Sequence, residues 1–370
     1  MFVSCCLFLF LATTYAVYLG GRTVNDHLVV VFVAACMFPY VLTGVITSED
    51  LFVLGPLGIS SLFAVLVRKK EASDWMMPFI VLSQPAYASS FWWYAFLPIH
   101  LFISWYMVDS ILPSIYWWLF PCIVGGWGCL WTYVKREQVS VHKLGSQGIR
   151  VVHISDIHAS PVMRGRELSD LCHRVNKLNP DLICLTGDLV MPFSEEEHSY
   201  MLDALALLEA PLYCCMGNHD LPIQEVLKKE LWAQDSKMLI NEQAEIQIRG
   251  ISIQIGGIQF YWKNGKERVE SIMKTFSSAA DIRIVLAHDP RYFQWIDINK
   301  VNLVLSGHTH GGQVAANMFG LSWSILRILG LYDQGAFTKD RCTMYVHKGN
   351  WLWGLPPRMG VAPEIALFLL

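Results

Sequence analysis

Residues 149–158 read Ile149-Arg150-Val151-Val152-His153-Ile154-Ser155-Asp156-Ile157-His158, an apolar run that stops at two ligand-type side chains one residue apart. The same pattern returns four times. Asp181–Thr186 closes on Gly187-Asp188, and Pro211–Met216 closes on Gly217-Asn218-His219-Asp220. Ile282–Ala287 closes on His288-Asp289, and Val301–Leu305 leads into Gly307-His308-Thr309-His310. Short apolar runs bounded by turn residues read as buried strands. Between them Gly165–Leu178, Glu195–Leu208 and Pro222–Gln234 carry helical spacing, the first stopping at Asn179-Pro180. Strand–helix alternation predicts an α/β domain with helices covering the sheet. The stretches Met238–Ile240, Ala244–Ile248 and Ile251–Ile255, broken by glycines, predict a second sheet. Thr343–His347 and Glu364–Leu370 supply the last strands.

The polar residues gather where these strands end. In open α/β sheets that crevice is where ligands collect. Asp156, His158, Asp188, Asn218, His288, His308 and His310 are ligands suited to divalent metals, and no cysteine joins them, which disfavours structural zinc. Seven ligands, one able to bridge, match two ions with positions left for water and substrate. A pair of such ions clamps a phosphoryl group and makes an activated water available at neutral pH. The flanking glycines let the backbone turn sharply and approach the ions.

The ordered blocks Asp156-x-His158, Gly187-Asp188, Gly217-Asn218-His219-Asp220, His288 and Gly307-His308-x-His310 together resemble the calcineurin-like metallophosphoesterase superfamily. Gly311-Gly312-Gln313, Tyr332 with Gly335, Gly354-Leu355-Pro356-Pro357-Arg358 and Pro363-Glu364-Ile365 resemble its membrane-anchored branch of transmembrane proteins and their bacterial relatives. The resemblance covers about residues 140–370. It implies a two-sheet sandwich flanked by helices, with Asp156, His158 and His310 on one metal, Asn218, His288 and His308 on the other, and Asp188 between. His219 is implied as the catalytic acid that is not a ligand, oriented by Asp220 or Asp156. The family often continues Gly-Asp-x-x-Asp, but here the last position is Met191. A hydrogen bond behind the ligands is thereby lost, and such losses cost about 10–100-fold in affinity or activity.

Outward from this region the composition changes. The 370 residues are 54% hydrophobic and 16% charged, below the roughly 25% charge of a soluble chain. Residues 1–134 hold ten Asp, Glu, Lys or Arg and eight of the fourteen tryptophans. Uncharged apolar runs near 2–20, 28–48, 51–67, 75–108 and 112–134 approach the roughly 20 residues that span a bilayer. We read an N-terminal multi-span transmembrane unit over residues 1–136, with about five spans and four as the alternative. Residues 137–370 form the metallophosphoesterase domain. Basic residues fall in every second loop, at Arg22, Arg68-Lys69-Lys70 and Lys135-Arg136, which places the large domain in the cytoplasm by the positive-inside bias.

A net charge of −3 gives no basic face, so no nucleic-acid binding is expected. Cys172, Cys184, Cys214, Cys215 and Cys342 have neither zinc spacing nor a disulfide rhythm. His153, His173, His198 and His347 read as surface or core residues, and Arg164, Arg166 and Arg358 as loop residues rather than phosphate contacts. The expected function is a membrane-anchored hydrolase of a phosphoester or pyrophosphate, using two divalent ions (Mn, Fe or Zn) and a substrate that is lipid-linked. The alternatives are a weak or inactive metal-binding membrane scaffold, and a phosphodiesterase acting on a soluble nucleotide or a phosphoprotein.

Overall fold

The computed structural model describes residues 133–138, 148–159, 163, 165–191, 196–233, 236–276, 279–313, 315–318, 321–351, 358 and 360–370. The expected membrane spans lie outside the described residues. Among those described, no helix is long and apolar enough to cross a membrane.

The chain builds one sheet, then another, then returns. The first sheet begins with β1 (Tyr133–Gln138), β2 (Arg150–Ile154), β3 (Leu182–Thr186), β4 (Leu212–Cys215) and β5 (Lys237–Met238). Helices α1 (Gly165–Asn176), α2 (Glu196–Leu205) and α3 (Gln224–Ala233) link the parallel strands β2 to β5. The second sheet takes β6 (Glu242–Ile248), β7 (Ile251–Ile258), β8 (Ile282–Ala287) and β9 (Leu303–Ser306), with α4 (Gly265–Thr275) after β7. A hairpin of β10 (Ala315–Met318) and β11 (Leu321–Ser324) runs into a single turn, α5 (Ile325–Ile328). β12 (Gly335–Lys339) and β13 (Cys342–Val346) finish the second sheet, and β14 (Glu364–Leu369) rejoins the first. The spatial orders are β1-β14-β2-β3-β4-β5 and β12-β13-β9-β8-β7-β6.

Side-chain alternation along the strands stacks these layers. Val151 of β2 enters the core between the sheets, whereas Val152 and Ile154 enter the core beneath the helices. Cys215 and Cys214 divide in the same way, and all five described cysteines are free and buried. Ile253 and Ile255, Ile282 and Ile284, Leu303 and Leu305 face the first sheet across the inter-sheet core. The far side of the second sheet is covered by α4 through Val269, Ile272 and Met273, a spacing of three and four residues that puts all three on one helix face.

Several elements differ from the sequence reading for identifiable reasons. β1 carries Lys135, Arg136 and Glu137, a charged run that becomes a strand through parallel pairing with β14. The first sheet therefore starts at Tyr133, ahead of the expected boundary at 136/137. Residues 222–234 divide into a 3-10 turn, Leu221–Ile223, and α3. β12 is a largely exposed edge strand with no apolar run to announce it.

Ile284 is fully buried and pairs in register with Leu303 and Ile255. Ile284→Ala is expected to cost about 2–5 kcal/mol of stability. Denaturant titration should show a lowered midpoint with an unchanged slope.

Candidate metal centre

The carboxyl ends of β2, β3, β8 and β9 bring six of the seven expected ligands together in two clusters. Asp156, His158 and His310 offer one ligand atom each, all within 4.8 Å of one another, and so do Asp188, His288 and His308. In the first cluster His158 Nε2 lies 3.0 Å from His310 Nε2, and His310 Nε2 lies 3.2 Å from Asp156 Oδ1. Asp188 stands between the clusters: its Oδ2 is 3.2 Å from His288 Nε2 and 3.8 Å from His158 Nε2. Its other oxygen, Oδ1, accepts from the backbone N–H of His219 at 2.9 Å.

These atoms fit divalent metal on chemical grounds. Asn218 Oδ1 is buried with no hydrogen-bond partner, a costly state for a polar atom unless an ion takes its lone pairs. The ring nitrogens aimed at the centre are neutral lone-pair donors where burial dominates, which pushes His158 down to about 3 and His308 to about 4. Burial also opposes a charge on His288, but the Asp188 carboxylate outweighs it and raises the imidazole to about 10. Burial likewise disfavours ionised Asp188, yet His288, with His158 and His219, holds it below the usual carboxylate range. His288 Nδ1 donates to the carbonyl of Thr186 at 2.6 Å, which directs Nε2 to the centre.

The backbone is bent to deliver the ligands. Asp156, His158, Asp188, His308 and His310 all have positive φ, between 48° and 71°. Each such non-glycine residue costs of order 1–3 kcal/mol and persists where the surroundings over-determine it. Here the loops after β2 and β3 are zipped together. Asp156 N donates to Gly187 O at 3.1 Å, His158 N to Asp188 O at 3.0 Å and Ala159 N to Leu189 O at 2.9 Å. The N–H of His308 is held by both oxygens of Asp156, at 3.0 and 3.1 Å. Close approach explains two glycines: a Cβ on Gly217 would collide with Asp188, and one on Gly307 with Ser155 and Asp156.

Asp220 is held by backbone N–H groups of two loops. Its Oδ2 accepts from the N–H groups of Asp188 at 2.8 Å and Gly217 at 2.9 Å, and its Oδ1 from Leu189 at 2.8 Å and Val190 at 3.4 Å. Burial and the Asp188 charge push Asp220 up to about 7, against the pull of the Gly217 and Leu189 amides. It ties the β3 and β4 loops together. His219 itself packs edge-on against His158 of the first cluster, ring centroids 5.2 Å apart. Met191 sits next to Val190, and its N–H donates to Ala159 O at 3.0 Å, so the strand-like zipper survives the missing acid.

Residues that the sequence did not single out support the ligands from behind. Ser155 Oγ donates to Asp156 Oδ2 at 2.6 Å, Thr186 Oγ1 reaches Ser155 Oγ at 2.8 Å, and His153 Nε2 lies 2.8 Å from Thr186 Oγ1. His153 is thus a buried core residue, as expected, and also the far end of a chain leading to a ligand. Arg358 is fully buried rather than in an exposed loop. Its Nη2 lies 3.1 Å from His310 Nδ1 and donates to the carbonyl of Trp351. That carbonyl is 3.2 Å from His310 Nδ1, so an Nδ1–H directed there leaves Nε2 for the centre. Arg166 is exposed on α1. The Gly354–Arg358 stretch marks Arg358 in the sequence, but its contact with His310 joins residues 48 apart.

Fold and site together define an α/β sandwich with two adjoining candidate metal clusters at its strand ends. Residues 149–312 match the family model described as calcineurin-like phosphoesterase. The chain is 30% identical over 233 residues to the metallophosphoesterase YkuE of Bacillus subtilis, covering 61% of this chain and 80% of that one. It is 29% identical over 244 residues to a metallophosphoesterase of Campylobacter jejuni, covering 64% of this chain and 63% of that one. It is 28% identical over 262 residues to the transmembrane protein with metallophosphoesterase domain of Danio rerio, covering 64% of this chain and 57% of that one. The match thus spans less than two thirds of the Campylobacter and Danio relatives. The chain belongs to the calcineurin-like phosphoesterase family.

Two measurements follow from this geometry. Ser155→Ala removes a hydrogen bond to Asp156 and is expected to weaken manganese binding about 10–100-fold while the far-UV circular dichroism is unchanged. Metal uptake should also be pH-dependent. His288 is raised to about 10 in the metal-free chain, so it is protonated at neutral pH and must lose that proton to ligate. Affinity should therefore rise as pH climbs from 6 towards about 9, with proton release seen calorimetrically in buffers of different ionisation enthalpy.

Proposed function

We propose that this protein is a membrane-anchored hydrolase of a phosphoester or pyrophosphate, dependent on two divalent ions (Mn, Fe or Zn), with a lipid-linked substrate and its active site on the cytoplasmic side. The observation that carries the catalytic part is the placing of Asp188 Oδ2 between His288 Nε2 at 3.2 Å and His158 Nε2 at 3.8 Å, where one carboxylate serves both clusters. Asp156, His158 and His310 would hold one ion, Asn218, His288 and His308 the other, and Asp188 both. Bound there, a pair of divalent ions supplies charge stabilisation of a phosphoryl group and activation of water.

The chain's own residues supply the remainder. His219 is positioned through its backbone N–H on Asp188 Oδ1. Burial lowers the pKa of its imidazole, so at neutral pH the ring is a neutral N–H donor. Directed at the leaving oxygen, that N–H satisfies the alkoxide as the bond to phosphorus breaks. A positioned neutral donor of this kind contributes about 10²–10³-fold, and the proton that the alkoxide finally takes comes from water.

Anchoring is supported by the apolar runs within residues 1–134 and by the printed name of the Danio rerio relative. A domain tethered beside a bilayer meets lipid-linked phosphates at high local concentration, which favours them over soluble esters.

Purified full-length chain loaded with manganese should hydrolyse bis-p-nitrophenyl phosphate or p-nitrophenyl phosphate. Asp188→Asn is expected to lose metal and turnover together. His219→Ala should keep its metal and lose about 10²–10³-fold in kcat on an alkyl ester, and far less on a p-nitrophenyl ester, whose leaving oxygen needs little stabilisation. Absence of turnover with Mn, Fe and Zn alike would replace this reading with the metal-binding scaffold.

A further inference from the structure

Four of the eight large apolar residues exposed among the described ones fall within seven positions. Ile325, Ile328, Leu329 and Leu331 are 63%, 68%, 67% and 45% exposed, on α5 and the turn after it. This segment is fixed, not loose. Asp333 receives Arg327 Nε at 2.9 Å and Nη2 at 2.6 Å, and Ser324 Oγ at 2.7 Å. Ser324 Oγ also caps α5 by accepting from Arg327 N. The polar groups at the base are thus satisfied, and the apolar ones are held outward.

The base of the segment rests on the metal loop. Thr309, between the ligands His308 and His310, donates its hydroxyl to the Asp333 carbonyl at 2.5 Å. A Cβ on Gly312 would lie 3.1 Å from Ser324 Cβ. Trp262 is 74% exposed and packs edge-on against Phe260, whose ring lies 5.5 Å from that of His308. An exposed indole and an exposed aliphatic ridge thus both connect to the His308–His310 loop.

Topology says what meets this rim. β1 runs parallel to β14, with Tyr133 opposite Glu364, and β14 runs antiparallel to β2, with Ala366 opposite His153. The amino end of β1 therefore lies at the edge of the sheet where β2 ends in Asp156. At roughly 4.8 Å per strand, the two are about 10 Å apart across the sheet. The chain that precedes the described fold, with its apolar runs, thus enters at the metal-bearing end of the sheet, and a lipid surface is the occupant that its composition favours. Exposed aliphatic side chains and an indole are the groups that settle at such a surface.

We propose that Ile325, Ile328, Leu329 and Leu331, with Trp262, seat the rim of the metal site on bilayer lipid, so that a phosphoester enters from the membrane surface. The proposal rests on reading residues 1–134 as a membrane unit and deepens the lipid-linked reading of the same site.

The test uses the full chain reconstituted in vesicles of phosphatidylcholine and phosphatidylglycerol, with a photo-crosslinker placed by Leu329→p-benzoylphenylalanine or Trp262→p-benzoylphenylalanine. The control is Gln247→p-benzoylphenylalanine, on an exposed position of β6 near its turn to β7, at the opposite edge. Lipid adducts at 329 and 262 are expected at least tenfold above those at 247, and Ile328→Asp should reduce the adduct at 329 at least threefold. Adducts at 329 no more frequent than at 247, or cross-links at 329 to a second protein chain instead of lipid, would overturn the proposal. Carbonate extraction of the same vesicles tests the membrane unit separately. A chain that resists extraction but gives no lipid adduct at 329 retains its anchor and loses this inference. Catalysis is judged apart from both, by hydrolysis of the soluble p-nitrophenyl esters.

Discussion

One carboxylate organises the centre. Asp188 is buried where its charge is expensive, and it remains ionised because histidines approach it from two directions and a backbone N–H from a third. Removing it would leave His288 without the partner that raises its pKa and would separate the two clusters. The surrounding loops follow from holding this group in place. Asp220 accepts four backbone N–H groups around it, including that of Asp188 itself, and Gly217 stays without a side chain because Asp188 occupies the space.

Such a centre is locally unfavourable, and the layers behind it offset the cost. Five of the seven expected ligands have left-handed backbone, and several buried polar atoms converge without protons to share. The two flanking cores and the inter-sheet core bury whole strands of Val, Ile and Leu, each such side chain contributing about 1.5–3 kcal/mol. Strands β2, β3, β4, β8 and β9 are buried on both faces up to their last residue. The strain is therefore confined to the two or three positions beyond each strand end. This gives a stiff platform with a strained rim, the arrangement expected where ligands must be held before an ion arrives.

The ligand set was legible in the sequence because each ligand directly follows a buried strand, and a strand end is a short-range signal. Asp156 and His158 follow β2, Asp188 follows β3, Asn218 follows β4, His288 follows β8, and His308 and His310 follow β9. What supports those ligands was not legible. His153, Thr186 and Ser155 form their chain across neighbouring strands, and Arg358 reaches His310 from 48 residues away. Asp220 illustrates the limit: its neighbour in sequence is His219, but its partners are amides brought to it by the fold of the β3 loop.

The sequence by itself determined the α/β alternation, the apolar character of residues 1–134 and the seven ligand types, since each depends on periodicity or composition within a few residues. Only the tertiary structure decided which of those candidate ligands stand in one cluster, that β1 joins the first sheet despite its charges, and that an apolar ridge stands beside the metal loop. Those outcomes depend on which strands lie side by side and at which edge a chain enters. Pairing between distant strands is set by the closure of the whole sandwich, and no local stretch of residues encodes it.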